Sequence, residues 1–192
     1  MNNDYILTLP DLLDQDYMKQ LALGILTEEW LSVSDVEALR RFTDVVTIEV
    51  ESNDYLKGIR KRFPKLASFL KVMKMNGPGQ WPPHIDTMRS SAINIPVQNC
   101  DETKVTQFGK KGKKVASLVT VFGDIESEWH SHGYVEYVDE AEMDFEFALQ
   151  EPTLINTKVP HQVFNYTETQ RVILSWAYED SFDNAKRDLL NE

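Results

Sequence analysis

The chain has 192 residues, 42% of them hydrophobic, enough for one substantial core, and neither a Pro-, Gly- or Ser-rich linker nor a break in composition divides it. Its formal net charge of −11, from 20 basic against 31 acidic residues, repels nucleic acid and anionic membranes at long range and argues against both as partners. A single cysteine, Cys100, excludes internal disulfides and multi-cysteine metal clusters and fits a reducing cytoplasm.

Residues 1–5 carry neither a basic region nor a long apolar run, and no stretch approaches the roughly 20 apolar residues that span a bilayer, so a soluble, cytoplasmic protein is expected. Between residues 11 and 30, Leu12, Leu13, Met18, Leu21 and Ile25 follow Pro10-Asp11 at approximately helical spacing and predict a first helix. Ser34-Asp35-Val36-Glu37 is a capping-box pattern ahead of Leu39 and Phe42 and predicts a second. Residues 45–50 alternate like a strand. Residues 53–62 read as a further helix, stopped near Phe63-Pro64 because the residue before proline disfavours helical geometry. Its Lys57, Arg60, Lys61 and Arg62, with Lys65 beyond, read as a solvated basic face.

From about residue 68 onward the chain reads as short strands and turns. His84-Ile85-Asp86 comes early in that half, and on an extended segment His84 and Asp86 point to one side while Ile85 points to the other. Lys110-Lys111-Gly112-Lys113-Lys114, with Gly109 before it, predicts a solvated hairpin tip. His130 and His132, with Glu126, Glu128 and Glu136 nearby, form a rival candidate metal pair; Gly133 and the flanking strand-like runs 117–122 and 134–138 favour instead an exposed connection at a rim that contacts substrate. Residues 159–164 and 170–178 flank the turn-prone Asn165-Tyr166-Thr167-Glu168 and predict a hairpin that sets His161 opposite Arg171 on one face. Arg171 opens the apolar run 172–178, and an arginine facing a buried interior needs an anionic partner.

His84, Asp86 and His161 together can occupy one face of an octahedral Fe(II), leaving three positions for a bidentate co-substrate and dioxygen. Helices first and strands later fit an α+β, mainly β chain, a jelly-roll barrel of two antiparallel sheets with the amino-terminal helices packed on one. A single domain over residues 1–192 is expected, mainly helical to residue 67 and barrel over 68–180.

Residues 68–178 resemble the Fe(II)- and 2-oxoglutarate-dependent dioxygenases, in particular the prolyl-hydroxylase-like and aspartyl/asparaginyl-hydroxylase-like members. The shared pattern is His-x-Asp, a long interval, a second His and an Arg ten residues later, here His84, Asp86, His161 and Arg171. The stretches 75–86 and 91–97 are also similar to that family's approach to its metal site and to the strand that follows. The resemblance implies a double-stranded β-helix, iron held by the triad, and 2-oxoglutarate held through its distal carboxylate by Arg171. It implies conversion of 2-oxoglutarate and dioxygen to succinate and carbon dioxide, with hydroxylation of an unactivated C–H bond in an amino acid, peptide or small metabolite.

Two positions depart from that pattern. Met75 stands where many relatives have a tyrosine that hydrogen-bonds the co-substrate, and Ile173 stands where many have a serine; Ser175 is the nearest hydroxyl on the same face. Arg89, Ser91 and Asn94 follow the metal motif closely and are candidate supports for it or the co-substrate. A metal-binding cupin-like domain without redox turnover, an isomerase or a small-carboxylate sensor, would share the triad, the arginine and the barrel. Release of succinate from 2-oxoglutarate separates the two readings.

Overall fold

Side-chain capping sets where the helices begin in a computed structural model of the chain, which describes residues 3–26, 42–110, 113–122 and 131–190. After β1 (Ile6–Thr8), Asp14 caps α1 (Gln15–Ile25) by accepting from the backbone N–H of Tyr17, so the helix is shorter than the expected 11–30. The capping box at Ser34 lies outside the described residues. β2 (Phe42–Glu49) leads through a single 3-10 turn into α2 (Asp54–Arg62), where the Asn53 side chain accepts from Leu56 N at 3.1 Å. Phe63 leaves helical geometry, as the residue before Pro64 must. The basic face of α2 is matched by acids, Lys57 with Asp54 and Arg60 with Glu51.

The remaining strands are β3 (Phe69–Met75), β4 (Gly79–Asp86), β5 (Ser91–Gln98), β6 (Val105–Lys110), β7 (Lys113–Phe122), β8 (Ser131–Asp139), β9 (Glu142–Ala148), β10 (Thr153–Asn156), β11 (His161–Asn165) and β12 (Arg171–Tyr178), followed by α3 (Phe182–Leu190). Two antiparallel sheets result. One runs β1-β10-β5-β12-β3-β2 and the other β7-β8-β4-β11-β6-β9.

Alternation along β12 explains why both its faces are apolar. Val172, Leu174, Trp176 and Tyr178 point outward and join Leu70 and Val72 of β3, Ile93 and Ile95 of β5, and the helical residues Met18, Leu56, Ile59, Phe182 and Ala185 in one core. Each Val, Leu, Ile, Phe or Met side chain among them contributes roughly 1.5–3 kcal/mol on full burial. Ile173 points the other way, into a smaller cluster with Met75, Trp81, Leu149 and Val163 between the sheets. Among the described residues, the helices therefore cover the first sheet, and its inner face looks across at the second.

Two turn expectations are corrected by this topology. β11 and β12 are not a hairpin: β11 pairs with β4 and β6, whereas β12 pairs with β3 and β5 in the opposite sheet, and the Cα partner of Arg171 is Met75 rather than His161. Asn165 makes the corner, its amide donating to the carbonyls of Thr169 and Met75 while its oxygen accepts from the N–H of Thr167. Lys111 and Gly112 of the basic run lie outside the described residues, but β6 and β7 do not pair with each other as a hairpin: Lys110 pairs with Glu142 of β9 and Lys113 with Asp139 of β8, which sets these two lysines opposite acids. Among the described residues, no helix is long and apolar enough to cross a membrane.

Candidate metal centre

Both histidines of the motif follow a proline, and both use it the same way. Pro83 precedes His84, whose Nδ1 donates to the carbonyl of Pro82 at 2.8 Å; Pro160 precedes His161, whose Nδ1 donates to the carbonyl of Val159 at 3.0 Å. A carbonyl only accepts, so each ring carries its proton on Nδ1 and keeps the Nε2 lone pair for a ligand. The pairing register of β4 with β11 shifts at this point, between His161 and Val163, where Pro82 and Pro83 supply no N–H to the ladder.

His84 and His161 are Cα partners on neighbouring strands, and their ring centroids lie 4.1 Å apart. Asp86, two residues along β4 on the same face, brings Oδ1 to 3.8 Å from His84 Nε2. One ligand atom from each of the three lies within 4.8 Å of the others, and all three residues are buried. Trp81 meets the His84 ring edge-on at 5.6 Å, and Phe108 stacks on His161 at 5.9 Å.

Electrostatics leave the group ready to ligate. Burial pushes His84 down to about 3, with the neighbouring His161 adding to the effect and Asp86 opposing it. His161 is pushed down by burial as well, again against Asp86. Burial alone would raise Asp86, but Arg89 and the two imidazoles outweigh it and hold the carboxyl at about 2. At neutral pH the site therefore presents two neutral imidazoles and one carboxylate, the protonation state in which these groups bind metals.

The other sequence candidates have distinct placements. Arg89 donates through Nε to Asp86 Oδ2 and through Nη1 to Ser175 Oγ at 2.8 Å, and Ser175 Oγ donates to Asn94 Oδ1 at 2.8 Å. Ser175 thus serves Arg89. Ser91 lies on the outward face of β5, where its hydroxyl donates to the carbonyl of Asp180. Arg171 lies on the inward face of β12, almost wholly buried, with its guanidinium against the Cys100 sulfur; burial lowers its pKa and Cys100 opposes the shift. Ile173 separates it from Ser175 along the strand and packs with Trp81, which in turn meets His84. Of the rival histidine pair, His130 is outside the described residues and His132 is placed only by its backbone, opposite Val121.

Some contributors carry no sequence signal. Lys158 Nζ donates to the carbonyls of Asp86 and Thr87, both at 2.9 Å. Thr157 accepts from Asp86 N and donates to the carbonyl of Arg89, so residues 86–89 are fastened to the segment that delivers His161.

No family model matches this sequence, and no curated protein matches it. Solved structures do match. The non-haem alpha-ketoglutarate-dependent epimerase SnoN from nogalamycin biosynthesis is 13% identical with a TM-score of 0.50, over 92% of this chain and 79% of that one. The fold is a double-stranded β-helix. A Pseudomonas putida prolyl-4-hydroxylase is 13% identical with a TM-score of 0.48, over 93% of this chain and 95% of that one. E. coli ycfD is 11% identical with a TM-score of 0.44 over 92% of this chain, which spans 50% of that protein. At these identities the likeness is one of fold, and the double-stranded β-helix accounts for strands that alternate between two facing sheets with a site between them.

Proposed function

We propose that this protein is an Fe(II)- and 2-oxoglutarate-dependent oxygenase that oxidises a C–H bond of an amino acid, a peptide or a small metabolite. The observation that carries the reading is the convergence of His84, Asp86 and His161, each with a ligand atom within 4.8 Å of the other two and each held by a partner outside the triad. Two imidazoles and one carboxylate are a donor set that would hold Fe(II). When bound, the metal with 2-oxoglutarate and dioxygen supplies oxidative decarboxylation to succinate and carbon dioxide coupled to attack on the substrate.

The chain's own part is positional. Pro82 and Val159 carbonyls orient the two rings, and Arg89 occupies Asp86 Oδ2 so that Oδ1 is the oxygen offered to the metal. Arg171, a buried cation on the inward face of the facing sheet, would hold the distal carboxylate of 2-oxoglutarate through its planar fork. Met75, Ile173 and Trp81 form an apolar wall that would exclude water from the co-substrate.

Anaerobic titration should give one Fe(II) or Mn(II) per chain and 2-oxoglutarate binding to that complex, and aerobic assays should release succinate. His161→Ala should lose the metal while staying folded. Arg171→Lys should keep the metal and weaken 2-oxoglutarate by roughly tenfold or more, since a bidentate charge-assisted contact becomes a point charge. Stoichiometric metal in His161→Ala, or unchanged 2-oxoglutarate affinity in Arg171→Lys, would refute these assignments; metal binding with no succinate release would point to the non-redox cupin reading.

A further inference from the structure

The inner face of β3 changes character along its length. Met75 is fully buried, Met73 and Lys71 are half-buried, and Phe69 is 39% exposed, so the space between the sheets closes at the Met75 end and opens at the Phe69 end. Leu70 and Val72, between them, point outward into the helix-covered core. Lys71 therefore faces the same interior as the triad.

Its position there is fixed by register. The Cα partner of Lys71 across the ladder is Ser175, and Ser175 Oγ receives Arg89, which holds Asp86. Two cations thus stand close together at the open end, within the field of Asp86. The Phe69 ring lies 6.0 Å from Lys71 Nζ, the exposed Thr47 and Glu49 of β2 are the Cα partners of Lys71 and Phe69 on the same face, and Met88, between Asp86 and Arg89, is 70% exposed.

From this placement we infer that the prime substrate carries an anionic head group, a carboxylate or phosphate, which Lys71 receives beside Arg89 at the mouth of the barrel. The inference rests on the oxygenase reading, because it takes the ligand at the mouth to be the substrate. Three features favour it. A divalent metal at the triad would add positive charge beside Lys71 and Arg89, where Asp86 lies inside the barrel and Glu49 at its edge, while the chain as a whole is strongly negative. Burial, then Arg89, pulls Lys71 down to about 8 against the opposing pull of Asp86, so the amine is charged at neutral pH and gains most from an arriving anion. Phe69 and Met88 offer apolar surface for the rest of the molecule. Lys71 acts as a specificity residue: it selects which substrates are held near the metal.

The test uses the full chain loaded with Zn(II) and saturating 2-oxoglutarate, so that Arg171 is engaged. N-acetylalanine, its neutral counterpart N-acetylalaninamide, and methyl phosphate are titrated in, and the backbone amide signals of residues 69–73 and 88–91 are followed by NMR. The two anions should shift these signals saturably and the amide should not; whichever anion binds more tightly identifies the head group. Lys71→Met should weaken anion binding roughly tenfold or more, Lys71→Arg should restore it to within a few-fold, and both should hold one Zn(II) per chain. Equal responses to the anions and the amide, or unchanged anion binding in Lys71→Met, overturn the inference. Failure of the oxygenase reading shows separately, as absence of metal or 2-oxoglutarate binding before any probe is added. In that case Lys71-dependent anion binding to the metal-free protein would still support an anion subsite, and its absence would overturn it.

Discussion

The two Pro-His pairs show how little sequence is needed to prepare a ligand. Proline fixes φ near −65° just before the histidine, and in both places the ring returns its Nδ1 proton to the carbonyl that precedes the proline. Burial then keeps both rings neutral, with a consequence for stability. Their folded pKa values lie below the unfolded value near 6.5, so the unfolded chain binds more protons as pH falls. The stability they contribute is complete above about pH 6.5 and is lost as pH falls toward the folded values, about 3 for His84; Asp86, held at about 2, adds its own loss only below about pH 4. Metal-free protein should therefore lose roughly 1 kcal/mol per pH unit through His84 on going from pH 6.5 to 5, with His161 adding in the same direction. Urea unfolding across that range checks this, and a His84→Ala/His161→Ala variant should show a flatter dependence. An equal slope in the variant would assign the acid sensitivity to other groups.

At the scale of elements, the corner at Asn165 connects the strand that carries His161 to the strand that carries Arg171. Its side chain is buried, donates to two carbonyls and accepts from one N–H, so Asn165→Ala leaves several backbone groups without partners. A loss of roughly 2–3 kcal/mol is expected in equilibrium unfolding, with metal binding retained because His161 is placed by β4 and β6. A loss under about 0.5 kcal/mol would mean that the corner is held by other contacts. The same corner marks where sequence reasoning stopped. Asn165-Tyr166-Thr167-Glu168 has turn chemistry, but that chemistry does not distinguish a hairpin from a corner between sheets, and consecutive strands of a double-stranded β-helix mostly lie in opposite sheets. Period-2 alternation survived the error: it placed His84 with Asp86 and put Arg171, Ile173 and Ser175 on one face, whichever strand lay alongside. Ser91 shows the converse limit, since proximity in sequence to the metal motif could not reveal that its β5 position points outward. Lys158 and Lys71 carry no signal in the sequence because their neighbours come from strands distant in sequence, β4 for Lys158 and β12 for Lys71.

For the whole molecule, the triad belongs to one sheet, β4 and β11, while the link from Asp86 through Arg89 to Ser175 and Asn94 reaches the other. The site is therefore one place where the two halves of the barrel are joined by polar contacts. Replacing Arg89 by Met leaves the buried Asp86 carboxylate without its counter-ion, which should cost about 3 kcal/mol in the metal-free protein, the lower end for a broken buried pair because Arg89 is partly exposed. A divalent cation binds the folded chain alone, so at a hundredfold excess over its dissociation constant it should add about 2.7 kcal/mol, or roughly 5–10 °C in the unfolding midpoint of a domain this size. Because metal and guanidinium neutralise the same carboxylate, saturating Mn(II) should recover part of the loss in Arg89→Met. It should recover none in Arg89→Met/His161→Ala, which lacks a ligand. Thermal unfolding of the three proteins with and without Mn(II) measures this directly, and a metal-free Arg89→Met that melts with the wild type would show that the barrel does not depend on this bridge.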